Sequence, residues 1–246
     1  MLGHGVERHA LIVPALGVRW RIHIPDGVSG AQPPSGNDRL PVLRNGGCRE
    51  LATGPSPLRF RGMEPISLST ERLTLDQPTM SDVDDITASC SEPVFETFMV
   101  TPWPYERQHA EFFVQDFVPR GWSSGDEWTW AIRRKGVETM LGAIGVRMSS
   151  GMVGFWLGGP HRGQGVMPEA LTAVVDAVFE LSDRSEVLWE CVRGNSASLQ
   201  VAKKVGFRFT GEAPGTILGR DGSASRSWTG RLTRTNDRNP QSGWPA

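Results

Sequence analysis

The segment from His161 to Met167 has the composition of a phosphate-binding turn. It reads His-Arg-Gly-Gln-Gly-Val-Met, and its two glycines let backbone N–H groups approach an anion closely, while Arg162 adds a charged donor. The Gly-Lys-Ser/Thr ending of a P-loop is absent, and Pro168 stands where the dinucleotide fingerprint needs its third glycine. The turn alone leaves two interpretations open, an anion site at a helix start or an ordinary solvent-facing loop.

The segments on either side of the turn favour the anion site. Residues 152–157 form a mostly apolar segment that predicts a strand. After the turn, Pro168 and Glu169 suit the first turn of a helix, where a missing N–H costs nothing and a negative charge is favourable. The apolar residues that follow at helical spacing are Leu171, Val174, Val175, Val178 and Leu181. A strand, a glycine turn and a helix N-terminus together make a suitable cradle for phosphate.

The remaining pattern predicts a mixed α/β (α+β) domain with helices on both faces of a sheet. The other predicted strands are 66–68, 73–75, 128–132, 139–148, 187–192, 207–210, 216–218 and 225–232. The other predicted helices are 81–88, 105–118 and a helix capped by Asn195 that ends at Gly206. Residues 93–104 are predicted to be irregular.

Several of these segments resemble the GNAT superfamily of N-acyltransferases, and within it the RimJ/RimL-like branch. Residues 70–75 are similar to the family's first strand and 142–146 to its third. Residues 153–157 and the Arg-Gly-Gln-Gly turn are similar to its fourth strand and acyl-CoA loop, and 195–207 to its later CoA-flanking helix. The resemblance covers about residues 66–232. It implies a GNAT-type, mostly antiparallel mixed sheet of six to seven strands that splays between strands 4 and 5.

The resemblance also implies where acetyl-CoA binds. Backbone groups of Phe155, Trp156 and Leu157 would hold the pantetheine arm, and one of their N–H groups would polarise the thioester carbonyl. The residues expected to hold the pyrophosphate are Arg162, Gly163, Gln164, Gly165, Val166 and Met167. Asn195 matches a CoA-contacting position, with helix capping as the alternative. Ser198 matches the serine that this branch can use, in place of a tyrosine, to protonate the departing thiolate; an ordinary helix-surface serine is the alternative.

The general base is not identified by the resemblance, because Met152 stands where relatives often have a carboxylate. A protein α-amine has a pKa of roughly 7.7–8.0, whereas a lysine amine near 10.4 costs roughly 4–5 kcal/mol to deprotonate at pH 7. An α-amine or a small-molecule amine is therefore the easier acceptor. Residues 81–111 are acidic and Trp103 and Trp122 lie nearby, which favours an acceptor wall that attracts a cationic amine; solvated helix faces and core tryptophans are the alternative.

The predicted function is therefore an N-acetyltransferase that moves an acetyl group directly from acetyl-CoA to a primary amine, without a metal. One alternative is a catalytically impaired GNAT-fold module that binds acyl-CoA or regulates, which Met152 favours. A purely structural α/β domain is a third interpretation, and the glycine turn argues against it.

The composition limits which class of protein this is and in which compartment we expect it. The chain has 246 residues and a net charge of −1, which excludes a strongly basic nucleic-acid-binding surface over the whole chain. No apolar run approaches the roughly 18 residues that cross a membrane. The three cysteines form neither a CxxC pair nor a metal-ligand spacing, which favours a reduced, cytoplasmic protein, with Cys191 as a small buried hydrophobe. The expected partners are acetyl-CoA and an amine acceptor, and a homodimer is compatible with this composition.

Three segments are predicted along the chain. Residues 1–62 are rich in glycine, proline and arginine and are expected to be a disordered or non-native extension, with Met63 as a candidate true start. Residues 63–233 form the GNAT domain, and residues 234–246 a flexible tail.

Overall fold

A computed structural model describes Leu11–Ile12, Trp20–Arg21 and residues 64–245 of the chain. Leu11–Ile12 pairs with Trp20–Arg21 in an antiparallel two-stranded sheet. The expectation of a disordered extension otherwise concerns residues outside the described ranges, and the boundaries at residues 62 and 233 stay predictions.

One eight-stranded sheet forms the centre of the described domain. Its numbered strands are β1 (Leu73–Asp76), β2 (Glu127–Arg134), β3 (Gly142–Arg147), β4 (Met152–Leu157), β5 (Glu186–Val192), β6 (Arg208–Leu218) and β7 (Ala224–Thr233). The two-residue strand Leu68–Ser69 extends the β1 edge, and the order continues as β1-β2-β3-β4-β5-β7-β6. Neighbours are antiparallel except β4 and β5. The mixed, mostly antiparallel sheet is confirmed, with the short edge strand added to the seven.

The helices lie between these strands in the chain. They are a 3-10 turn (Met80–Asp82), α1 (Val83–Cys90), α2 (Pro93–Phe98), α3 (Arg107–Phe112), a π-helical turn (Phe113–Phe117), α4 (Val118–Ser124), a 3-10 turn (Gly159–His161), α5 (Val166–Leu181) and α6 (Ser196–Val205). Within the described residues, no helix combines the length and apolar character that crossing a membrane requires.

The sheet separates two hydrophobic clusters, which confirms helices on both faces. One cluster joins α4, α5 and α6 to the side chains of Trp128, Trp130 and Trp189. The other joins α1, α2 and α3 to Trp156 and its neighbours. In β2, Trp130 and Ile132 enter the first cluster while the intervening Ala131 enters the second. The period of two in the strands therefore assigns each residue to a face.

β4 and β5 pair over only two positions, Met152 with Leu188 and Val153 with Trp189. Beyond them the two strands separate, while β4 stays paired with β3 up to the pair of Leu157 and Gly142. The open edge of β4 from residue 154 onward therefore faces a gap in the sheet. This is the predicted splay between strands 4 and 5.

One local prediction is wrong, and one predicted helix has different bounds. Residues 93–104 are not irregular throughout, because α2 occupies Pro93–Phe98, with proline in its first turn where its missing N–H costs no hydrogen bond. The helix predicted for 105–118 starts at Arg107 and continues through the π-helical turn and α4 to Ser124. Pro119 does not stop it because it stands at the start of α4.

Candidate active site

The glycine turn has the backbone geometry of an anion cradle. Gly163 and Gly165 have φ values of 75° and 73°, in the left-handed region that favours glycine. Gly165 is the N-cap of α5. None of the backbone N–H groups from Gly163 through Met167 has a hydrogen-bond acceptor among the described residues. A run of free amides at the positive end of a 16-residue helix is a strong site for a phosphate group.

The open edge of β4 presents alternate backbone groups to the gap. The N–H of Leu188 donates to the carbonyl of Gly151, whereas the N–H of Gly158 donates to Leu141 beside β3. Because backbone groups alternate along a strand, odd-numbered residues of β4 face β5 and even-numbered residues face β3. Phe155 and Leu157 therefore present the free N–H groups, and Trp156 contributes its side chain.

A cavity of about 370 Å³ lies where β4, the turn and α6 meet. Its volume is in the range of pockets for small molecules and cofactors. The sequence-predicted residues that line it are Phe155, Trp156, Leu157, Arg162, Gly163, Gly165, Val166, Met167, Asn195 and Ser198. Of the predicted set, only Gln164 is not in the lining, because its side chain bonds Pro160 and Arg134 instead.

The sequence pattern did not indicate two parts of this cavity. α2 and the residue after it supply Val94, Phe95, Phe98 and Met99, and α6 supplies Lys204. The α2 residues lie in the segment predicted to be irregular, so no pattern marked them. Lys204 follows Val201 by three positions and Ala197 by seven on the CoA-flanking helix, and these spacings could have shown that the three residues share one side.

Two ion pairs hold the turn in place. Arg162 donates to the carbonyl of Leu157 at 2.9 Å and pairs with Glu92 at 2.9 Å, and Glu92 accepts the N–H of Gly159 at 2.7 Å. On the other side, Glu169 accepts from the Nε of Arg72 at 2.6 Å. The guanidinium of Arg162 thus braces the turn, and the donors left free for a phosphate are backbone amides.

Ser198 sits in the first turn of α6, where one hydrogen bond reaches its hydroxyl oxygen and another is donated by its backbone N–H. The indole N–H of Trp189 donates to Ser198 Oγ at 3.0 Å. The backbone N–H of Ser198 donates to Asn195 Oδ1 at 3.1 Å, so Asn195 is the helix cap that its position predicted. Asn195 also lines the main cavity. Capping and cofactor contact are therefore compatible roles for this residue.

A second cavity, of about 60 Å³, continues from Ser198 toward the start of the splay. It shares Phe98, Met99, Phe155, Asn195 and Ser198 with the main cavity. Met152, from the start of β4, and Glu190, from β5, line its far side. Glu190 is a carboxylate that the sequence pattern did not single out. A signal existed, since it stands alone between the apolar Trp189 and Cys191.

The expected acidic acceptor wall over residues 81–111 is wrong for those of its carboxylates that pair with an arginine. Asp82 is buried and pairs with Arg133, Asp84 pairs with Arg107, and Glu92 pairs with Arg162. Burial opposes the charge of Asp82, and the hydrogen bonds from Arg133 and Thr79 outweigh it and lower its pKa. Neutralised carboxylates exert little attraction on an incoming amine.

The two tryptophans named with that region, Trp103 and Trp122, each pack against other side chains of the domain. Trp122 is buried against Trp128 and Trp130, with ring centroids 5.7 and 5.0 Å away. It is therefore a core tryptophan, which was the alternative to a place in the acceptor wall. Trp103 lies 5.8 Å from the guanidinium carbon of Arg220.

Arg220, in the β6–β7 hairpin, clamps the segment that follows α2. Its guanidinium donates to the carbonyl oxygens of Glu96, Thr101, Phe95 and Met99 at 3.1 to 3.4 Å. These include two carbonyls from the end of α2, where the helix leaves carbonyls without an intrahelical partner: that of Glu96, and that of Phe95, which also accepts the N–H of Met99. The hairpin and α2 together therefore form one wall of the second cavity, which Phe98, Thr216 and Ile217 line.

The cysteines of the described domain are buried free thiols. Burial raises the pKa of Cys191 to about 12, so its thiol is not a nucleophile at neutral pH, as predicted. Burial also raises the pKa of Cys90. In residues 64–245, no group of three or more His, Cys, Asp or Glu side chains is arranged to hold a metal ion.

Comparison with solved structures finds the same fold in acetyltransferases. A protein assigned as a ribosomal-protein-serine acetyltransferase from Vibrio cholerae superposes with a TM-score of 0.60 at 21% identity, over 70% of this chain and 99% of that one. RimL, a ribosomal L7/L12 α-N-protein acetyltransferase solved with coenzyme A, gives 0.59 at 17% identity, over 70% and 100%. The microcin C7 self-immunity acetyltransferase MccE, solved with acetyl-CoA and AMP, gives 0.57 at 15% identity, over 67% and 93%.

Sequence comparison gives the family. Curated protein sequences yield no match to this chain. The family model described as an acetyltransferase (GNAT) domain matches residues 72–208, which is more than half of the chain and includes β1, the splay, the glycine turn and α6. The chain therefore belongs to the GNAT acetyltransferase family.

Proposed function

We propose that this protein transfers an acetyl group from acetyl-CoA to a primary amine, either a protein N-terminal α-amine or a small-molecule amine. The main cavity carries the proposal, because it connects the free amides of the glycine turn to Ser198 along the open edge of β4. Three features that a thioester donor requires are thus in one cavity: a phosphate cradle, backbone donors and a hydroxyl.

The chain's own groups have distinct parts in this reaction. The amides from Gly163 through Met167 hold the pyrophosphate, and the N–H groups of Phe155 and Leu157 face the pantetheine arm. One of these N–H groups stabilises the oxyanion that forms on the thioester carbonyl when the amine attacks. Removing one such donor in other enzymes costs roughly 3–4 kcal/mol of transition-state stabilisation. The hydroxyl of Ser198 hydrogen-bonds the thiolate as it leaves.

RimL, an α-N-protein acetyltransferase, supports an N-terminal α-amine as the acceptor, and the ordinary pKa values of amines point the same way. A reducing, cytoplasmic setting fits the buried free thiols of Cys90 and Cys191. The alternative, an acyl-CoA-binding module without catalysis, is favoured by one observation, the apolar Met152 at the start of β4.

The test combines binding with turnover. Isothermal titration with acetyl-CoA should show a single site, and a thiol-release assay with a panel of amines should show turnover. Binding without release for every amine would favour the non-catalytic module, and no binding would contradict both functions.

The glycine turn offers a matched pair of variants. Gly163→Ala and Gly136→Ala each place a Cβ at a φ near 75° in open space, so both strain the backbone to a similar degree. Only Gly163 lines the main cavity. Gly163→Ala should weaken acetyl-CoA binding at least tenfold more than Gly136→Ala. Equal effects on affinity would show that the turn does not hold the phosphates.

A further inference from the structure

Glu190 lies at the point where the sheet opens. The pairing of β4 with β5 ends at Val153 and Trp189, and Glu190 is the next residue of β5. Its neighbours Trp189 and Cys191 are buried in the cluster beneath α5 and α6. By the alternation of the strand, the side chain of Glu190 points to the opposite face. The second cavity lies at the splay and is lined by both Glu190 and Ser198.

The carboxylate of Glu190 is held in one orientation by β6. Its Oε2 accepts the hydroxyl of Thr216 at 2.6 Å, and its Oε1 accepts the backbone N–H of Ile217 at 3.1 Å. A Cβ on Gly215 would stand 2.4 Å from Oε1, so glycine at this position is what allows the close approach. Among the ion pairs formed within residues 64–245, none involves Glu190.

Among the described residues, Glu190 is an oriented carboxylate without a cationic partner, and in this it differs from three acids of the segment 81–111. Asp82, Asp84 and Glu92 each have an arginine. A charge that is partly buried and lacks a protein counter-ion is best stabilised by a cation from outside. The second cavity opens beside Glu190 and ends at Ser198, where the thioester would lie.

We propose that Glu190 binds the ammonium group of the acceptor and is the general base that the apolar Met152 leaves missing on β4. The inference rests on the proposed function and assigns the residue that selects its substrate. The carboxylate takes one proton from the ammonium and releases the neutral amine. The nitrogen lone pair forms the C–N bond, the C–S bond breaks with its electron pair on sulfur, and the second nitrogen proton reaches the thiolate through the Ser198 hydroxyl.

The size of the second cavity restricts the acceptor. A single bound water occupies about 10–15 Å³ of cavity volume. The second cavity, at about 60 Å³, therefore has room for an amino group with one or two carbons. The apolar side chains of Phe98, Met99 and Met152 surround that stem. The acceptor class is therefore a primary amine on a slender stem, with the remainder of the molecule outside the cavity.

The decisive comparison is Glu190→Gln against Glu186→Gln. Glu186 is on the same face of β5, four residues earlier, and lines neither cavity. The probes are alanyl-glycine amide, glycinamide, ethanolamine and putrescine, with acetyl-CoA as donor. Glu190→Gln should lower kcat/KM for the best of them at pH 7 by about a hundredfold or more. Its Kd for acetyl-CoA should change less than threefold, and Glu186→Gln should stay within twofold of wild type in both.

A pH profile separates a base from a structural role. An α-amine with a pKa of roughly 7.7–8.0 is already neutral at pH 9, so the base is then needed less. The deficit of Glu190→Gln should shrink at least tenfold between pH 7 and pH 9. An equal deficit at both pH values, or a Glu190→Gln protein within threefold of wild type, would overturn the proposal.

Two further outcomes keep the proposal separate from the proposed function. If Glu190→Gln does not fold, Thr216→Val tests the proposal instead, because Thr216 is exposed and the change removes one hydrogen bond to the carboxylate. Thr216→Val should lower kcat/KM about fivefold to tenfold and leave the affinity for acetyl-CoA unchanged. Wild-type protein that binds acetyl-CoA but acetylates none of the four amines contradicts the assignment of Glu190. Wild-type protein that does not bind acetyl-CoA contradicts the proposed function itself.

Discussion

The indole N–H of Trp189 donates a hydrogen bond to Ser198 Oγ across the boundary between β5 and α6. An indole can only donate, so the serine oxygen is the acceptor and its own proton stays available to another partner. Trp189 is 1% exposed and packs against Trp244 with ring centroids 5.6 Å apart. The rigid core therefore fixes the orientation of the hydroxyl that faces both cavities.

Replacing Trp189 tests this relationship. Trp189→Phe removes the donor, frees the serine hydroxyl to rotate, and should lower kcat about threefold to tenfold. Trp128→Phe is the matched control, since Trp128 is equally buried and its indole N–H has no partner among the described residues. Both changes shorten a core tryptophan and should cost similar stability in urea unfolding. A loss of kcat as large in Trp128→Phe would assign the effect to packing alone.

Ser198→Ala should lower kcat tenfold to a hundredfold and change the Kd for acetyl-CoA less than threefold. Under the proposed function, the hydroxyl acts on the departing thiolate, whereas the affinity comes mainly from the turn and β4. Ser196→Ala, at the exposed start of the same helix, is the control and should keep wild-type turnover. Thiol-release kinetics and isothermal titration provide the two measurements. Full turnover in Ser198→Ala would mean that another group, or water, protonates the thiolate.

Asn195 variants distinguish helix capping from cofactor contact. Asn195→Ala removes the bond to the Ser198 N–H and should lower the free energy of unfolding by about 1 kcal/mol. Asn195→Asp keeps a capping oxygen and should retain stability. It also places a negative charge in the cavity lining and should weaken acetyl-CoA binding about tenfold. Unchanged affinity in Asn195→Asp would restrict Asn195 to the capping role.

Glu127 should make the stability of the domain depend on pH. Burial raises the pKa of its carboxyl to about 7, and the charge of Arg147 opposite it on β3 offsets this only in part. The folded pKa is above the unfolded value of about 4.3, so the folded state binds more protons between these values. Its contribution to stability is therefore present below about pH 4.3 and is lost as the pH rises toward 7.

Urea unfolding of Glu127→Gln checks this expectation. The variant carries no charge, so its free energy of unfolding relative to wild type should rise between pH 5 and pH 7.5. Glu138→Gln, at an exposed position, should show no such trend. A constant difference between Glu127→Gln and wild type over this range would mean that the carboxyl titrates at its ordinary pKa.

The parts of the site with a strong local signal could be predicted from the sequence. Gly163 and Gly165 need the left-handed backbone that the turn uses, and the apolar period of 3.6 after them fixes the direction of α5. Asn195 and Gly206 mark the two ends of α6 because capping is a local interaction. These features depend on residues within one turn of each other.

The parts that escaped prediction depend on contacts between distant segments. α2 is only six residues long, and its end is satisfied by Arg220, more than a hundred residues later in the chain. The acidic wall was wrong at Asp82 and Glu92 because Arg133 and Arg162, which neutralise these two carboxylates, are far away in the sequence. The carboxylate of Glu190 is oriented by hydrogen bonds from Thr216 and Ile217, which lie on β6, more than 25 residues later in the chain.

The hydrogen bonds from Arg220 to α2 allow the side chains of α2 to change without loss of its anchoring. The Arg220 guanidinium binds main-chain oxygens, so these hydrogen bonds do not depend on which side chains α2 carries. Val94, Phe98 and Met99 face the cavities from that same segment. Under the proposal for Glu190, substitutions of Phe98 and Met99, which also line the second cavity, change the acceptor preference while the hydrogen bonds from Arg220 stay in place.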